Sequence, residues 1–239
     1  MITAKGVCRY FRQPDGTIFK ALDGIDLQIS DSQCVLIAGE NGSGKSLLMK
    51  MIAKLENPTK GSIDCSGQVG LVFQDADAQI LADTPLEDVL FGLRMKKGLS
   101  KTDARKLALE ALKDVNLDGK AESSSHFLSG GEKRRLAVAS VLALGRKTVI
   151  FDEPYSNLDY PGVKSVNGVL EKLKESGMTI IILTHELEKC LALADRVIVL
   201  HQGKKVFDGD STDALRQDLE IWGVRNPAKD GDPKSLIWR

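Results

Sequence analysis

The stretch Gly39, Glu40, Asn41, Gly42, Ser43, Gly44, Lys45, Ser46 constrains this chain more than any other. It has the spacing of a glycine, four residues, then Gly-Lys-Ser/Thr. A triphosphate is a dense anion, and a row of backbone N–H groups at a helix start is a natural cradle for one. Glycines at 42 and 44 let the backbone curl close enough, with Glu40, Asn41 and Ser43 completing the loop. Lys45 would reach the β- and γ-phosphates, and the Ser46 hydroxyl would sit on Mg²⁺. The surroundings agree: Cys34–Ala38 is a short apolar run that predicts a buried parallel strand, and residues 46–55 have helical periodicity.

Residues 148–151 predict a second short apolar strand, which delivers Asp152 and Glu153 with Pro154 directly behind. Successive strand residues point to opposite faces, so two adjacent carboxylates serve one site only if the second lies just past the strand end. Pro154 puts the end there. Beside a phosphate loop, Asp152 is placed to hold hydrated Mg²⁺ and Glu153 to orient and deprotonate an attacking water. A second anion site is predicted at Ser129, Gly130 and Gly131, a serine with two glycines at a helix start. Lys133, Arg134 and Arg135 follow, cations that oppose the helix dipole; either a nearby anion relieves them or they form a solvated basic face.

The other elements follow in order. Residues 2–10 and 21–29 alternate apolar and polar around Pro14, Asp15 and Gly16, predicting an antiparallel edge that leads into the phosphate-loop strand. Phe11 or Tyr10 offers an aromatic face for a base, or is an ordinary buried aromatic. After a turn at 57–61 come short strands at 62–65 and 69–73, the second ending at Gln74, which alone reads as a solvated polar residue. Residues 75–145 carry helical signals at 85–96, 102–115 and from 126, and predict a helical insertion in an α/β core. Helices are also predicted at 162–175, 186–194 and 212–219, the last capped by Ser211. Strands are predicted at 178–183, 196–200 and 204–207. His185 falls at the carboxyl end of a strand, where ligands gather in open parallel sheets. His126 and His201 lack that setting and read as structural. From Asn226 the chain reads as a polar, loose tail; nothing accounts for Trp238.

Equal numbers of basic and acidic side chains, 33 each, argue against a general nucleic-acid binder. Four scattered cysteines without metal-type spacing fit a reduced, cytoplasmic protein. No signal peptide is read, and no apolar run approaches the roughly 18 residues of a membrane helix, so any business at a membrane is expected to go through a partner.

Taken together and in this order, these pieces resemble the ATP-binding subunit of ABC transporters. Gly39 to Ser46 looks like its phosphate loop, and Gln74 like its Q-loop glutamine, which implies a contact to the metal. Leu128, Ser129, Gly130, Gly131 and Glu132 look like its LSGGQ signature, with Glu132 in place of the usual glutamine. The strand ending in Asp152 and Glu153 looks like the one carrying the magnesium aspartate and catalytic glutamate, residues 156–159 like the D-loop and His185 like the switch histidine. Phe11, four residues after Val7, aligns with the base-stacking aromatic. The resemblance implies a P-loop ATPase over residues 1–225, with a helical subdomain at about 75–145 and a tail at 226–239. It also implies ATP and Mg²⁺ as ligands, and head-to-tail pairing of two subunits, copies or paralogues, so that ATP on Lys45 of one meets Ser129 of the other. Residues 74–81 and 87–92 are similar to the energy-coupling-factor and cobalt or nickel importer branch, although Asp75 and Ala76 stand where that branch often has Asn-Pro. That implies a peripheral subunit on the cytoplasmic face of the membrane, working with integral coupling and substrate-binding components. A soluble ABC scaffold, as in iron-sulfur cluster assembly, is the alternative.

Overall fold

Cys34–Ala38 forms a strand (β3) whose five residues are all buried, because this strand sits in the middle of a sheet covered on both faces. In this computed structural model, which describes residues 1–96 and 98–227, β3 lies between β7 (Thr179–Leu183) and β8 (Arg196–His201), parallel to both. The six-stranded order is β5 (Val69–Val72), β6 (Thr148–Asp152), β7, β3, β8 and β9 (Lys204–Gly209); β9 alone runs antiparallel. Side chains of β3 alternate between two apolar clusters, Cys34, Leu36 and Ala38 in one and Val35 and Ile37 in the other. Burying each of the larger ones stabilises the fold by about 1.5–3 kcal/mol.

On one face lie α1 (Lys45–Ile52) and a separate three-stranded antiparallel sheet. The 2–10 and 21–29 hairpin forms as predicted, longer at its tip, as β1 (Ile2–Arg12) and β2 (Ile18–Ile29). It does not extend the sheet of β3; it pairs instead with β4 (Lys60–Cys65), which takes Lys60 and Gly61 out of the predicted turn.

The opposite face carries the helices. Between β5 and β6 the chain runs through α2 (Pro85–Arg94), α3 (Lys101–Asp114) and α4 (Gly130–Ala143), capped by Thr84, Ser100 and Ser129. These pack on one another, and α4 also packs against β5 and α5 (Tyr160–Glu175). Two predicted helices are corrected. Residues 186–194 form two 3₁₀ turns, Leu187–Lys189 and Leu191–Leu193, separated at Cys190 by φ −149°, which no helix accommodates. The helix at 212–219 is the shorter α6 (Ser211–Leu215), capped by Asp210 rather than Ser211, followed by a 3₁₀ turn at Leu219–Trp222. Asn226 is buried and donates to the carbonyls of Leu215 and Gln217, so the packed chain includes the first residue of the predicted tail. Trp238 and the rest of that tail from 228 lie outside the described residues. No helix among the described residues is long and apolar enough to cross a membrane.

Candidate functional site

The carboxyl ends of β3, β6 and β7 meet at one place. Gly39, at φ +148°, leaves β3 so close to its neighbours that a Cβ there would stand 2.2 Å from the Leu200 carbonyl oxygen. Gly44, at φ +105°, is pressed on Leu22 and Ala21 of β2 and opens α1. Between them the loop turns back over its own lysine. Lys45 is 5% exposed, and its Nζ donates to the carbonyls of Gly39 (2.6 Å) and Glu40 (3.0 Å). Burial holds this ammonium below the usual lysine range, opposed by the carboxylates of Glu153, Asp152 and Glu40.

Across the cavity, β6 ends at Asp152 and Glu153 follows at φ +44°, just past the strand, as the proline argument requires. Its N–H donates to the Leu183 carbonyl (2.9 Å), which ties the acid to β7. Glu153 Oε1 lies 3.0 Å from His185 Nδ1 and 3.9 Å from Lys45 Nζ. Glu153 Oε2 is buried with no hydrogen-bond partner. The Ser46 hydroxyl donates to Asp152 Oδ1 (3.2 Å), whose pKa burial raises while that bond lowers it. A cavity of about 240 Å³ opens between Asn41, Gly42, Lys45, Ser46, Gln74 and Glu153.

This donor set fits Mg²⁺. Ser46 Oγ and Asp152 Oδ1 are hard oxygens already side by side, Gln74 lines the same cavity, and a buried carboxylate held partly against ionisation is relieved by a divalent cation. Among the described residues no group of three or more His, Cys, Asp or Glu is placed to hold a metal ion by itself.

Two predicted residues lie apart from the Lys45–Glu153–His185 cluster, Gln74 lining its cavity and Phe11 on β1. Gln74 is exposed, and its amide donates to Ser156 Oγ (3.4 Å). Phe11 is 41% exposed on β1, with the Arg9 guanidinium 4.8 Å from its ring centroid. The Tyr10 hydroxyl is tied to Asp23 (2.9 Å), which leaves Phe11 as the aromatic with the open face.

Ser129, Gly130 and Gly131 open α4 at a second cavity of about 550 Å³, shared with Arg135, Asn157 and Asp159. Here the helix start is closed on itself. Ser129 Oγ accepts from the Glu132 N–H (3.3 Å) while Glu132 Oε2 accepts from the Ser129 N–H (2.9 Å), a capping box. Lys120 reaches the other oxygen of Glu132 (2.6 Å). The three cations after it do not form a solvated basic face. Lys133 pairs with Asp77, Arg135 donates to Ser165, and Arg134 is 3% exposed with its guanidinium on the Phe73 carbonyl.

His201 is a correction as well. It ends β8 beside β3, with Nδ1 3.2 Å from Glu40 Oε1 in the phosphate loop, so the strand-end setting credited to His185 belongs to it too. Ending the strand one residue early hid this.

A glycine loop closing on a buried lysine, between a parallel-strand end and a helix, with a serine–aspartate pair and a glutamate–histidine pair around one cavity, defines a P-loop nucleoside triphosphatase. The family described as ABC transporter matches residues 22–156. The energy-coupling factor transporter ATP-binding protein EcfA of Methanocaldococcus jannaschii is 39% identical over 215 residues, 84% of this chain and 76% of its own length. The EcfA of Carboxydothermus hydrogenoformans is 37% identical over 231 residues, covering 91% and 84%. Among solved structures, cbiO1 from Clostridium perfringens, part of the ABC transporter complex cbiONQ, superposes with a TM-score of 0.81 at 31% identity over 92% of either chain. MJ0796, an ATP-binding cassette whose dimeric structure is a post-hydrolysis state bound to ADP and Pi, gives 0.79 at 28% identity, covering 88% of this chain and 99% of that one. The chain belongs to the ABC transporter family and is an ATP-binding, ATP-hydrolysing subunit of that family.

Proposed function

We propose that this subunit powers import of a micronutrient, a vitamin or a transition-metal ion, through an integral membrane partner on whose cytoplasmic face it sits. The observation that carries the ATPase part of the mechanism is the cluster of Lys45, Glu153 and His185 facing the Ser46–Asp152 pair. The names of the EcfA relatives, and cbiO1 being part of a cbiONQ transporter complex, support the importer part.

Lys45 exchanges its bonds to the Gly39 and Glu40 carbonyls for the β- and γ-phosphate oxygens of ATP, a stronger charge-assisted pair. Phe11 stacks on the base. Ser46 and Asp152, with Gln74, would hold Mg²⁺, which when bound neutralises charge on the phosphate oxygens. Glu153 takes the proton from the attacking water. Its Oε2 is the buried, unpartnered acceptor such a step needs, while His185 and Lys45 flank Oε1 and fix the carboxylate. In a head-to-tail pair, Ser129, Gly130 and Gly131 of the second subunit reach the same phosphates, so closure follows ATP binding and opening follows hydrolysis.

The helical subdomain at about 75–145 presents the membrane partner's docking surface. Phe73, Leu81, Phe91, Met95 and Phe127 are exposed there or at its border, and an apolar helix of the partner would cover them. Purification of the tagged chain from detergent-solubilised membranes tests the reading. Co-purification of an integral membrane protein, released on washing with ATP-free buffer no faster than the tag itself, supports it. Recovery with only soluble partners overturns it.

A further inference from the structure

The first turns of α4 contain a residue whose placement is costly. Arg134 is 3% exposed, its Nε is buried without a partner, and its one hydrogen bond among those described goes to a neutral acceptor, the Phe73 carbonyl. It stands near the positive end of the α4 dipole, and burial pushes its pKa down, opposed by Asp75 and Asp152. A desolvated guanidinium in such a place adds little to folding, and an apolar side chain of similar volume does as well or better.

What the position does achieve is a connection. Phe73 immediately precedes Gln74, and the neighbouring Lys133 pairs with Asp77, three residues beyond it, so adjacent residues of α4 grip both flanks of the glutamine. The gripped segment is stiff. Gln79 accepts from the Phe73 N–H (3.0 Å) and donates to the Leu71 carbonyl (2.9 Å), pinning the turn back on the end of β5. On its open side Gln74 donates to Ser156, its one side-chain bond among the described residues, beside a cavity of about 360 Å³ that Arg134 also lines.

We infer that Arg134 is a positioning residue, which sets Gln74 at the nucleotide cavity according to the seating of the same chain's Ser129–Gly130–Gly131 helix start. Anything that shifts that helix start pulls the Phe73 carbonyl through the guanidinium, and Gln74 with it. A subunit's hold on its neighbour's nucleotide is thereby linked to the completeness of its own site. This rests on the reading of Gln74 under the proposed function.

The test is a double-mutant cycle on steady-state hydrolysis by the full chain, with ATP binding and melting temperature measured alongside. Arg134→Met is expected to lower kcat about tenfold while the Kd for ATP stays within about twofold and the melting temperature does not fall. Gln74→Ala is expected to lower kcat comparably, and the double variant to lose no more than either single one. A merely structural arginine gives the opposite pattern, with a lower melting temperature and losses that multiply with those of Gln74→Ala; that result overturns the inference, as does an unchanged kcat in Arg134→Met. If Gln74→Ala itself hydrolyses normally, the reading of Gln74 falls and the inference with it. If only the arginine variant is silent, the reading of Gln74 stands. Should Arg134→Met fail to fold, Arg134→Gln takes its place in the same cycle.

Discussion

The chain carries two glycine-rich helix starts, both proposed above to receive phosphate, and they are finished to different degrees. At α1 a cation is held inside the site: Lys45 is buried on the Gly39 and Glu40 carbonyls, Gly39 and Gly44 are locked against Leu200 and Leu22, and two carboxylates and a histidine close around the cavity. At α4 two backbone donors are spent on the helix itself, the Glu132 N–H on the Ser129 hydroxyl oxygen and the Ser129 N–H on the Glu132 carboxylate, which Lys120 also clasps. Under the proposed function the first start holds its ligand with residues of its own chain, Lys45 exchanging two backbone carbonyls for phosphate oxygens. The second would offer the Ser129 hydroxyl proton and glycine N–H groups without a lysine like Lys45, so its attachment is expected to be the weaker. The proposed closing and reopening would need both, one firm grip and one grip near balance.

Removing the chemistry from the firm side tests that contrast most severely. Glu153→Gln keeps the shape and hydrogen bonding of the side chain but cannot take a proton. Hydrolysis is expected to fall by about 10²–10⁴-fold while ATP is still bound and dimer accumulates. Single-turnover assays with size-exclusion chromatography check this, and undiminished hydrolysis removes Glu153 from the mechanism. Next in size, Lys45→Ala deletes the buried cation between the Gly39 carbonyl and Glu153. Loss of charge-assisted bonds of about 1.5–3 kcal/mol each is expected to weaken ATP binding by at least about 100-fold in equilibrium titration with labelled nucleotide.

The firm side is also the part most legible in sequence. A glycine loop after an apolar run, and two acids before a proline, are local patterns whose geometry follows from backbone stereochemistry, and both lie where the strand ends require. Less local facts were not legible. The partnership of β1 with β4 depends on pairing across more than fifty residues, and no alternation within either strand announces it. Residues 186–194 have leucines at helical spacing, yet the burial of Lys189 and Cys190 against the core selects two short turns. Asp210 and Ser211 are both good caps, so sequence alone does not choose between them. Arg134 looks like one of three solvated cations until the fold brings the Phe73 carbonyl to it.

On the second helix start, Ser129→Ala sharpens the comparison from the other side. Its cost to folding is the lost cap, about 1 kcal/mol. ATP binding by the single subunit is expected to stay within about twofold, because Lys45 and its loop are untouched. Nucleotide-driven dimerisation of a Glu153→Gln background is expected to weaken about tenfold by sedimentation, the value of one hydrogen bond to a charged phosphate. Equal losses in monomer binding and dimerisation contradict the division of labour between the two starts.

The smallest effect concerns Glu132, which stands where the resemblance leads one to look for glutamine. Its carboxylate is held below the usual range, first by the bond from Lys120 and then by the Ser129 N–H, with burial acting the other way. A carboxylate depressed in the folded state stabilises the fold above its unfolded pKa of 4.5 and loses that contribution as pH falls through the lower folded value. Glu132→Gln keeps the capping geometry but not the charge, so it is expected to cost less than about 1 kcal/mol at pH 7, as for an exposed pair with one well-made bond. Thermal melts should therefore show the two proteins converging as pH drops below 4.5, with the variant's deficit also shrinking in high salt. Hydrolysis should stay within about threefold, since the exchange leaves the Ser129 hydroxyl and the glycine N–H groups in place. A deficit that persists at low pH assigns the loss to packing rather than charge. A collapse of hydrolysis means that Glu132 itself, and not only the cap it completes, takes part in holding the neighbouring subunit's phosphates.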